Sequence, residues 1–323
     1  MKYKSCEFLQ EGIHFWFNSI FMCCYANGLK HDPFYLIKEY SGEKIDWQKL
    51  EDYKKQIVED HKKGLINPHC ENCVKLREDN WDENYQYSNI VISHWTNCNC
   101  NCAYCYTMND KAFYNSHKPY EVLPLLKEMK NNGRLKDKAL FLFGGGEPTM
   151  LDELDDVLNF ILENNPKYIN INSSGIDYNK TIAKALKSDL LGLTISVDSG
   201  SEEVYKKIKK QNTYNQVWEN IEKYCSDQGF DKNAVKSKYI IYPGFNDDFS
   251  EVEKWLQKSI AAGVKNIALD VESLWYFLED YKVPQKVSDL ISYVENRAKE
   301  LELELLFYSV AEQIKFKSNS SQV

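Results

Sequence analysis

The stretch "NCNCNCAYCY" (residues 97–106) concentrates four cysteines, which are Cys98, Cys100, Cys102 and Cys105. It follows the β-rich run "YSNIVIS" (87–93) almost directly. A short loop with the spacing Cys-x-x-x-Cys-x-x-Cys can bring three thiolates to one face of a metal centre. Because Cys100 is two residues from both Cys98 and Cys102, we expect its side chain to point away from that face.

Two kinds of metal centre fit this loop. A structural zinc ion needs a closed set of four ligands, and His94 or Cys100 could supply the fourth. Three cysteines on a four-iron cluster instead leave one iron open to an outside ligand, and an open iron allows chemistry.

A glycine run follows the next β-rich segment. After "ALFLF" (139–143) come Gly144, Gly145 and Gly146, and then Glu147. Glycines at the end of a strand let a ligand approach the backbone closely, and a neighbouring carboxylate can receive an ammonium group. This turn lies one strand–helix unit after the cysteine loop, and the pair of motifs favours a cofactor site over structural zinc.

Short β-rich runs alternate with amphipathic stretches from about residue 86 onwards. The runs cover residues 87–93, 139–143, 168–172, 192–197, 238–242 and 265–271, and a further one is 304–309. This alternation predicts parallel strands joined by crossover helices, with reactive groups in the loops after the strands. Six or seven such units predict an α/β fold, a partial (β/α)6 TIM-like barrel rather than a closed eightfold one.

The two motifs resemble those of the radical S-adenosylmethionine (SAM) enzymes. The loop of Cys98, Cys102 and Cys105, with Tyr104 before the last cysteine, is similar to the family's cluster motif. Gly145, Gly146 and Glu147, followed by a proline, are similar to its motif for the methionine end of SAM. The resemblance covers roughly residues 87–310. It implies that the three cysteines bind a [4Fe–4S] cluster.

Three later segments are similar to further SAM contacts of the family. They are "INSSG" (171–175), "ISVDSGSEEVYKKIKK" (195–210) and "YIIYPGFND" (239–247). The residues that the resemblance implies are Ser173, Ser196 and Asp198 near the ribose or carboxylate, Ile240 near the adenine, and Asn246 beside it.

The resemblance also implies a reaction. SAM binds the open iron, and one electron cleaves it into methionine and a 5′-deoxyadenosyl radical, which abstracts hydrogen from a small or medium polar substrate. The electron would come from a donor such as flavodoxin or ferredoxin. Peptide or protein maturation is the alternative within the superfamily, and a zinc-stabilised binding protein without catalysis is the alternative from another class. No residue stands out as a hydrogen donor or general base.

Residues 1–85 break the strand–helix rhythm and predict a small cysteine-rich module before a barrel domain of residues 86–323, with a linker at 77–84. The module contains an aromatic stretch at 13–24 that could form a hairpin and a charged helix-like segment at 46–64. We expect the aromatic rings to supply apolar contact with the barrel, because a small module cannot bury them alone.

The N-terminal cysteines predict a second metal site. The predicted ligands are Cys6, Cys24, Cys70 and Cys73, and Cys23 competes with Cys24. The pattern is similar to half of the SPASM/Twitch auxiliary-cluster domains, which implies a second [4Fe–4S] cluster. Structural zinc and no metal are the alternatives.

Composition excludes several classes of partner. The net charge is −8, and the chain lacks the clustered basic face that nucleic acid requires. Its densest basic run, "KKIKK" (206–210), is expected to be a solvated helix end. The N-terminus lacks the apolar core of a signal peptide, and the apolar stretch is too short to span a membrane. Ten cysteines without a secretion signal indicate a reducing cytoplasm.

Overall fold

The computed structural model describes residues 2–23, 35–71, 73, 75–81, 83, 85–105, 120–272, 283–308, 310–312 and 314. The chain divides into two compact units. Unit 1 comprises residues 1–96, 112–146 and 151–169, and unit 2 comprises residues 97–111, 147–150 and 170–323.

Unit 1 combines the N-terminal segment with the first strand–helix units. Its elements are β1 (Tyr3–Ser5), α1 (Glu7–Glu11), β2 (Gly12–Trp16), β3 (Ser19–Phe21), β4 (Tyr35–Ile37), α2 (Trp47–Lys62), a 3₁₀ turn (Pro68–Cys70), β5 (Arg77–Asp79), β6 (Tyr87–Ser93), α3 (Leu123–Asn131), β7 (Leu135–Phe143), α4 (Leu154–Glu163) and the start of β8 (Tyr168–Ser173). The strands lie in the order β4-β3-β2-β6-β7, and β1 pairs separately with β5.

The aromatic N-terminal stretch forms the predicted hairpin, in which β2 and β3 are antiparallel. Strand β2 also pairs in parallel with β6, from Gly12 opposite Asn89 to Trp16 opposite Ser93. Phe15 is completely buried in this sheet. The aromatic residues therefore make the apolar contact with the first barrel strand that their sequence predicted. The domain boundary at residue 85 stays a prediction.

Helix α2 covers most of the charged segment at 46–64. It begins after Asp46, whose side chain accepts a hydrogen bond from the Lys49 N–H and so caps the first turn. Ile57 and Val58 are buried on its inner face.

Unit 2 continues the alternation of strands and helices. Its elements are a 3₁₀ turn (Pro148–Met150), the rest of β8, α5 (Lys180–Leu186), β9 (Leu191–Ser196), α6 (Glu202–Lys209), α7 (Tyr214–Asp227), β10 (Val235–Ile241), α8 (Phe249–Ala261), β11 (Asn266–Val271), α9 (Gln285–Glu300) and β12 (Glu304–Phe307). The order is β8-β9-β10-β11-β12, and the pairs β9/β10, β10/β11 and β11/β12 are parallel. Strand β9 is buried along almost its whole length, as parallel strands covered on both faces are.

All seven β-rich runs of the barrel segment form strands, although some ends differ. Strand β7 begins at Leu135 rather than at residue 139, because Leu135 pairs with Tyr87 before an irregularity at which Lys138 has a φ of 56°. Strand β12 ends at Phe307 rather than at residue 309. No helix among the described residues has both the length and the apolar character needed to cross a membrane.

Candidate active site

The cysteine loop lies in unit 2 and is held by the end of helix α6. The Asn101 N–H donates to the Lys209 carbonyl at 3.1 Å, and the Ala103 N–H donates to the Ile208 carbonyl at 2.8 Å. The Gln211 side-chain amide donates to the Asn99 carbonyl. These bonds fix the backbone of the loop between its first and last cysteines.

The four loop cysteines differ in burial and in ionisation. Cys98, Cys102 and Cys105 are partly exposed, whereas Cys100 is buried. The Cys100 N–H donates to the Cys98 sulfur at 3.4 Å. Hydrogen bonding with Cys100 lowers the pKa of Cys98 and lowers that of Cys102 to about 6, where the charge of Lys209 also contributes. The same interactions, together with burial, raise the pKa of Cys100, so Cys100 is the thiol of the three that keeps its proton. That Cys100 is not a cluster ligand stays a prediction.

A buried ion pair lies beside the loop. The Lys209 ammonium donates to the Asp198 carboxylate and, at 2.9 Å, to the Tyr104 hydroxyl, which itself donates to Asp198. Lys209 is 2% exposed and Asp198 is completely buried. Burial alone would lower the pKa of Lys209, but the charge of Asp198 raises it above its usual value. Lys209 is therefore charged, and the predicted solvated helix end is wrong for this lysine.

Asp198 also connects the ends of two strands. Its second carboxylate oxygen accepts a hydrogen bond from the Ile240 N–H at 2.7 Å, and its own backbone has a φ of 58°. The Asn246 amide donates to the carbonyls of Asp198 and Ile240, both at 2.8 Å, and accepts from the Tyr242 N–H at 2.6 Å. In this structure Asp198 and Asn246 hold the loops after β9 and β10.

Glu147 is buried within a dense hydrogen-bond network. One carboxylate oxygen accepts from the Thr149 hydroxyl at 2.9 Å, from the Thr149 N–H at 3.3 Å and from the Ser173 hydroxyl at 2.7 Å. The other accepts from the Ser174 N–H at 2.6 Å. The Glu147 carboxylate thus fixes the end of β8. Two further predicted SAM contacts, Ser196 and Ile240, are partly exposed near the ends of β9 and β10.

Gly145 and Gly146, which precede Glu147 in the glycine motif, belong to unit 1. Gly145 has a φ of 84°, and a Cβ added there would lie 3.0 Å from the carbonyl oxygens of Ser93 and Trp95. The Gly146 N–H donates to the Trp95 carbonyl at 3.0 Å. A glycine is required at position 145 because another stretch of backbone passes so closely.

Unit 1 also brings the N-terminal cysteines together. Cys6, Cys23, Cys70 and Cys73 line one cavity, and the predicted ligand Cys24 lies outside the described residues. His94, the alternative fourth ligand of a zinc ion, has its Nε2 3.1 Å from a carboxylate oxygen of Glu153.

The donor set of the cysteine loop fits a [4Fe–4S] cluster. In such a cluster each thiolate binds a different iron, so the sulfur atoms stand apart rather than meeting at one point. Within the part of the chain that the structure describes, no three Cys, His, Asp or Glu side chains are grouped to hold one metal ion. Cys98 and Cys102 have a lowered pKa, which favours the thiolate that iron requires.

The family model of the radical SAM superfamily matches residues 92–258, just over half of the chain. The chain belongs to the radical SAM superfamily. The α/β fold with its mostly parallel strands is that of the partial TIM-like barrel predicted from the sequence. Members of this superfamily are enzymes that use a [4Fe–4S] cluster and SAM, so the zinc-stabilised binding protein was the wrong alternative.

Two curated relatives that are similar to this chain carry the name GTP 3′,8-cyclase. A GTP 3′,8-cyclase of Clostridium botulinum is 27% identical over 184 residues, which cover 56% of this chain and 56% of the relative. A probable GTP 3′,8-cyclase of Methanococcus aeolicus is 24% identical over 254 residues, 74% of this chain and 82% of the relative. The chain thus spans little more than half the length of the first of these relatives.

Solved structures share the fold at low identity. Streptococcus suis SuiB bound to its precursor peptide SuiA superposes with a TM-score of 0.54 at 12% identity, over 87% of this chain and 58% of SuiB. The enzyme anSMEcpe with bound AdoMet gives a TM-score of 0.52 at 15% identity, over 68% of this chain and 63% of that one.

We expect Lys209→Met to destabilise the protein by about 3–5 kcal/mol, because it leaves the Asp198 carboxylate buried without its cation. Thermal unfolding measured anaerobically checks this value. The double variant Asp198→Asn/Lys209→Met should recover part of the loss. The matched control is Lys207→Met on the same helix, whose pair with Glu203 is exposed and contributes little to stability. Equal melting temperatures for the two single lysine variants would contradict the role of the buried pair.

We expect Glu147→Gln to lower the melting temperature even without SAM. The carboxamide turns an NH₂ group toward hydroxyl and N–H donors, and a charge-assisted hydrogen bond is worth about 1.5–3 kcal/mol. The control is Glu203→Gln, at an exposed carboxylate, which should leave the melting temperature almost unchanged. A Glu147→Gln protein as stable as this control would show that the network does not support β8.

Proposed function

We propose that the protein abstracts hydrogen from a small or medium polar substrate, with Cys98, Cys102 and Cys105 binding the SAM cluster. The observation that carries this proposal is the cysteine loop, in which three partly exposed thiols stand on a backbone fixed by buried groups. A scaffold protein has no need to expose three thiols in this way.

When bound, the cluster and SAM supply the one-electron chemistry that starts hydrogen abstraction. The residues of the chain position the cysteine loop and stabilise its thiolates. Tyr104, Asp198 and Lys209 hold the loop with groups from which water is excluded. The Cys100 N–H donates to the Cys98 sulfur at 3.4 Å, and hydrogen bonding with Cys100 favours the thiolate form of Cys98 and Cys102.

The SAM contacts form the second part of the proposal. We assign Glu147 to the methionine ammonium, because its hydrogen bonds hold a buried carboxylate in one orientation before the ligand arrives. Gly145 and Gly146 belong to the same motif. Ser196 and Ile240 are assigned to the ribose and the adenine, since both are partly exposed near strand ends. Ser173, Asp198 and Asn246 support these SAM contacts indirectly. Their hydrogen bonds hold Glu147 and the backbone of Ile240 in place.

A nucleotide is the first substrate to test. The curated relatives are named for activity on GTP, and the similarity to them extends over half of the chain or more. The peptide-bound structure supports the fold alone, because its identity is only 12%. We also propose an electron donor such as flavodoxin or ferredoxin and a cytoplasmic location, which the ten cysteines favour.

The test is SAM cleavage by the anaerobically reconstituted, dithionite-reduced protein. We expect 5′-deoxyadenosine and methionine from the wild type and from Cys225→Ser, whose thiol lies in helix α7 away from the loop. Cys102→Ser should form neither product, because it removes one of the three cluster ligands. An iron-loaded wild type that leaves SAM intact would overturn the proposal. Consumption of added GTP would identify the substrate, and unchanged GTP would remove this nucleotide from consideration.

A further inference from the structure

Four cysteines line a single cavity in unit 1. The walls of the cavity are Cys6, Leu9, Met22, Cys23, His69, Cys70, Cys73 and Leu76. The cysteines come from three separate segments of the chain. Buried cysteines usually fill space as small apolar side chains, but these four surround a space instead.

Each thiol is held by regular backbone structure. Cys6 precedes helix α1, and its sulfur accepts a hydrogen bond from the Leu9 N–H at 3.3 Å. Cys70 ends a 3₁₀ turn, and the Cys73 N–H donates to the Cys70 carbonyl at 3.2 Å. Cys23 follows strand β3 by two residues. Cys6, Cys23 and Cys70 therefore lie at or next to the ends of regular elements.

Close packing at Gly12 brings two of these segments together. A Cβ added at Gly12 would lie 2.4 Å from the Phe8 carbonyl oxygen and 2.9 Å from that of Met22. Only glycine allows helix α1 and the end of β3 to approach so closely, and this approach places Cys6 and Cys23 on the same cavity.

The surroundings of the cavity are apolar. Cys6 and Cys70 belong to a buried core with Tyr3, Leu9, Met22, Ile57 and Val58. A negative charge in this apolar core needs a positive charge nearby, and the Lys54 side chain can supply one. Its ammonium is fully buried, donates to the Gly12 carbonyl at 3.0 Å and lies 4.6 Å from the centre of the Tyr87 ring.

Zinc ions and iron–sulfur clusters place their thiolate ligands differently. A zinc ion draws four sulfur atoms to about 2.3 Å from one point. The described side chains include no three ligands grouped around one such point. A four-iron cluster instead occupies a space of its own, and each thiolate binds a different iron. Its four thiolates give it a net negative charge, which favours the charged form of Lys54, whose pKa burial lowers to about 7.

We propose that Cys6, Cys23, Cys70 and Cys73 bind a second [4Fe–4S] cluster in this cavity. All four irons then have a protein ligand, so the cluster offers no position for SAM. Cys23 replaces the Cys24 expected from the sequence. The proposal does not depend on SAM cleavage, because every residue in it belongs to unit 1.

The test first removes the proposed SAM cluster by substituting its three cysteine ligands. The full-length variant Cys98→Ala/Cys102→Ala/Cys105→Ala is reconstituted anaerobically, and its iron, acid-labile sulfide and zinc are measured. We expect about four iron and four sulfide per chain, with a [4Fe–4S] spectrum by Mössbauer spectroscopy. A folded triple variant that contains zinc instead, or no metal, overturns the proposal whatever the SAM-cleavage assay shows.

Single substitutions in the triple variant then test the ligands. Cys23→Ser and Cys70→Ser should each lose most of the iron, while Cys24→Ser, His69→Ala and the control Cys225→Ser in unit 2 should keep it. Circular dichroism shows which variants are folded, and a folded Cys23→Ser or Cys70→Ser protein with full iron content contradicts the assignment. Loss of iron in Cys24→Ser but not in Cys23→Ser would contradict it as well.

Discussion

The candidate site depends on one buried ion pair, between Lys209 at the end of helix α6 and Asp198 after strand β9. Two charges removed from water are tolerated only when further hydrogen bonds satisfy them. The Tyr104 hydroxyl and the Ile240 N–H provide these bonds, so the pair joins the cysteine loop to the ends of two strands. The position of the cysteine loop is thus supported by a buried electrostatic contact.

Much of the fold could be predicted from the sequence, because it follows from periodicity. The β-rich runs that became β6 to β12 are bounded by amphipathic helices, and parallel α/β architecture requires this order. The cysteine loop and the Gly145–Glu147 turn were recognised in the same way, since each is a short pattern of unusual residues. The pairing of β2 with β6 was not evident, because nothing in a strand's own sequence specifies its neighbour.

The roles of single residues were harder to predict. Lys209 is predicted to face solvent with the rest of "KKIKK", yet it lies four residues after Tyr205, a buried side chain of helix α6. That helical spacing was the available signal, although a charged residue on an inward face is rarely expected. Ser173, Asp198 and Asn246 are predicted as SAM contacts, and the structure shows their side chains hydrogen-bonded within the protein. Sequence patterns identify such residues, but they do not distinguish a residue that contacts SAM from a residue that holds the contacting residue in place.

The central claim is that three cysteines, and not Cys100, bind the cluster of the loop. Iron anomalous scattering from crystals grown anaerobically after reconstitution tests it most directly. The account predicts four iron positions beside the loop, with Cys98, Cys102 and Cys105 each on one iron and Cys100 on none. Iron bonded to Cys100, or a single zinc position among these thiols, would contradict it.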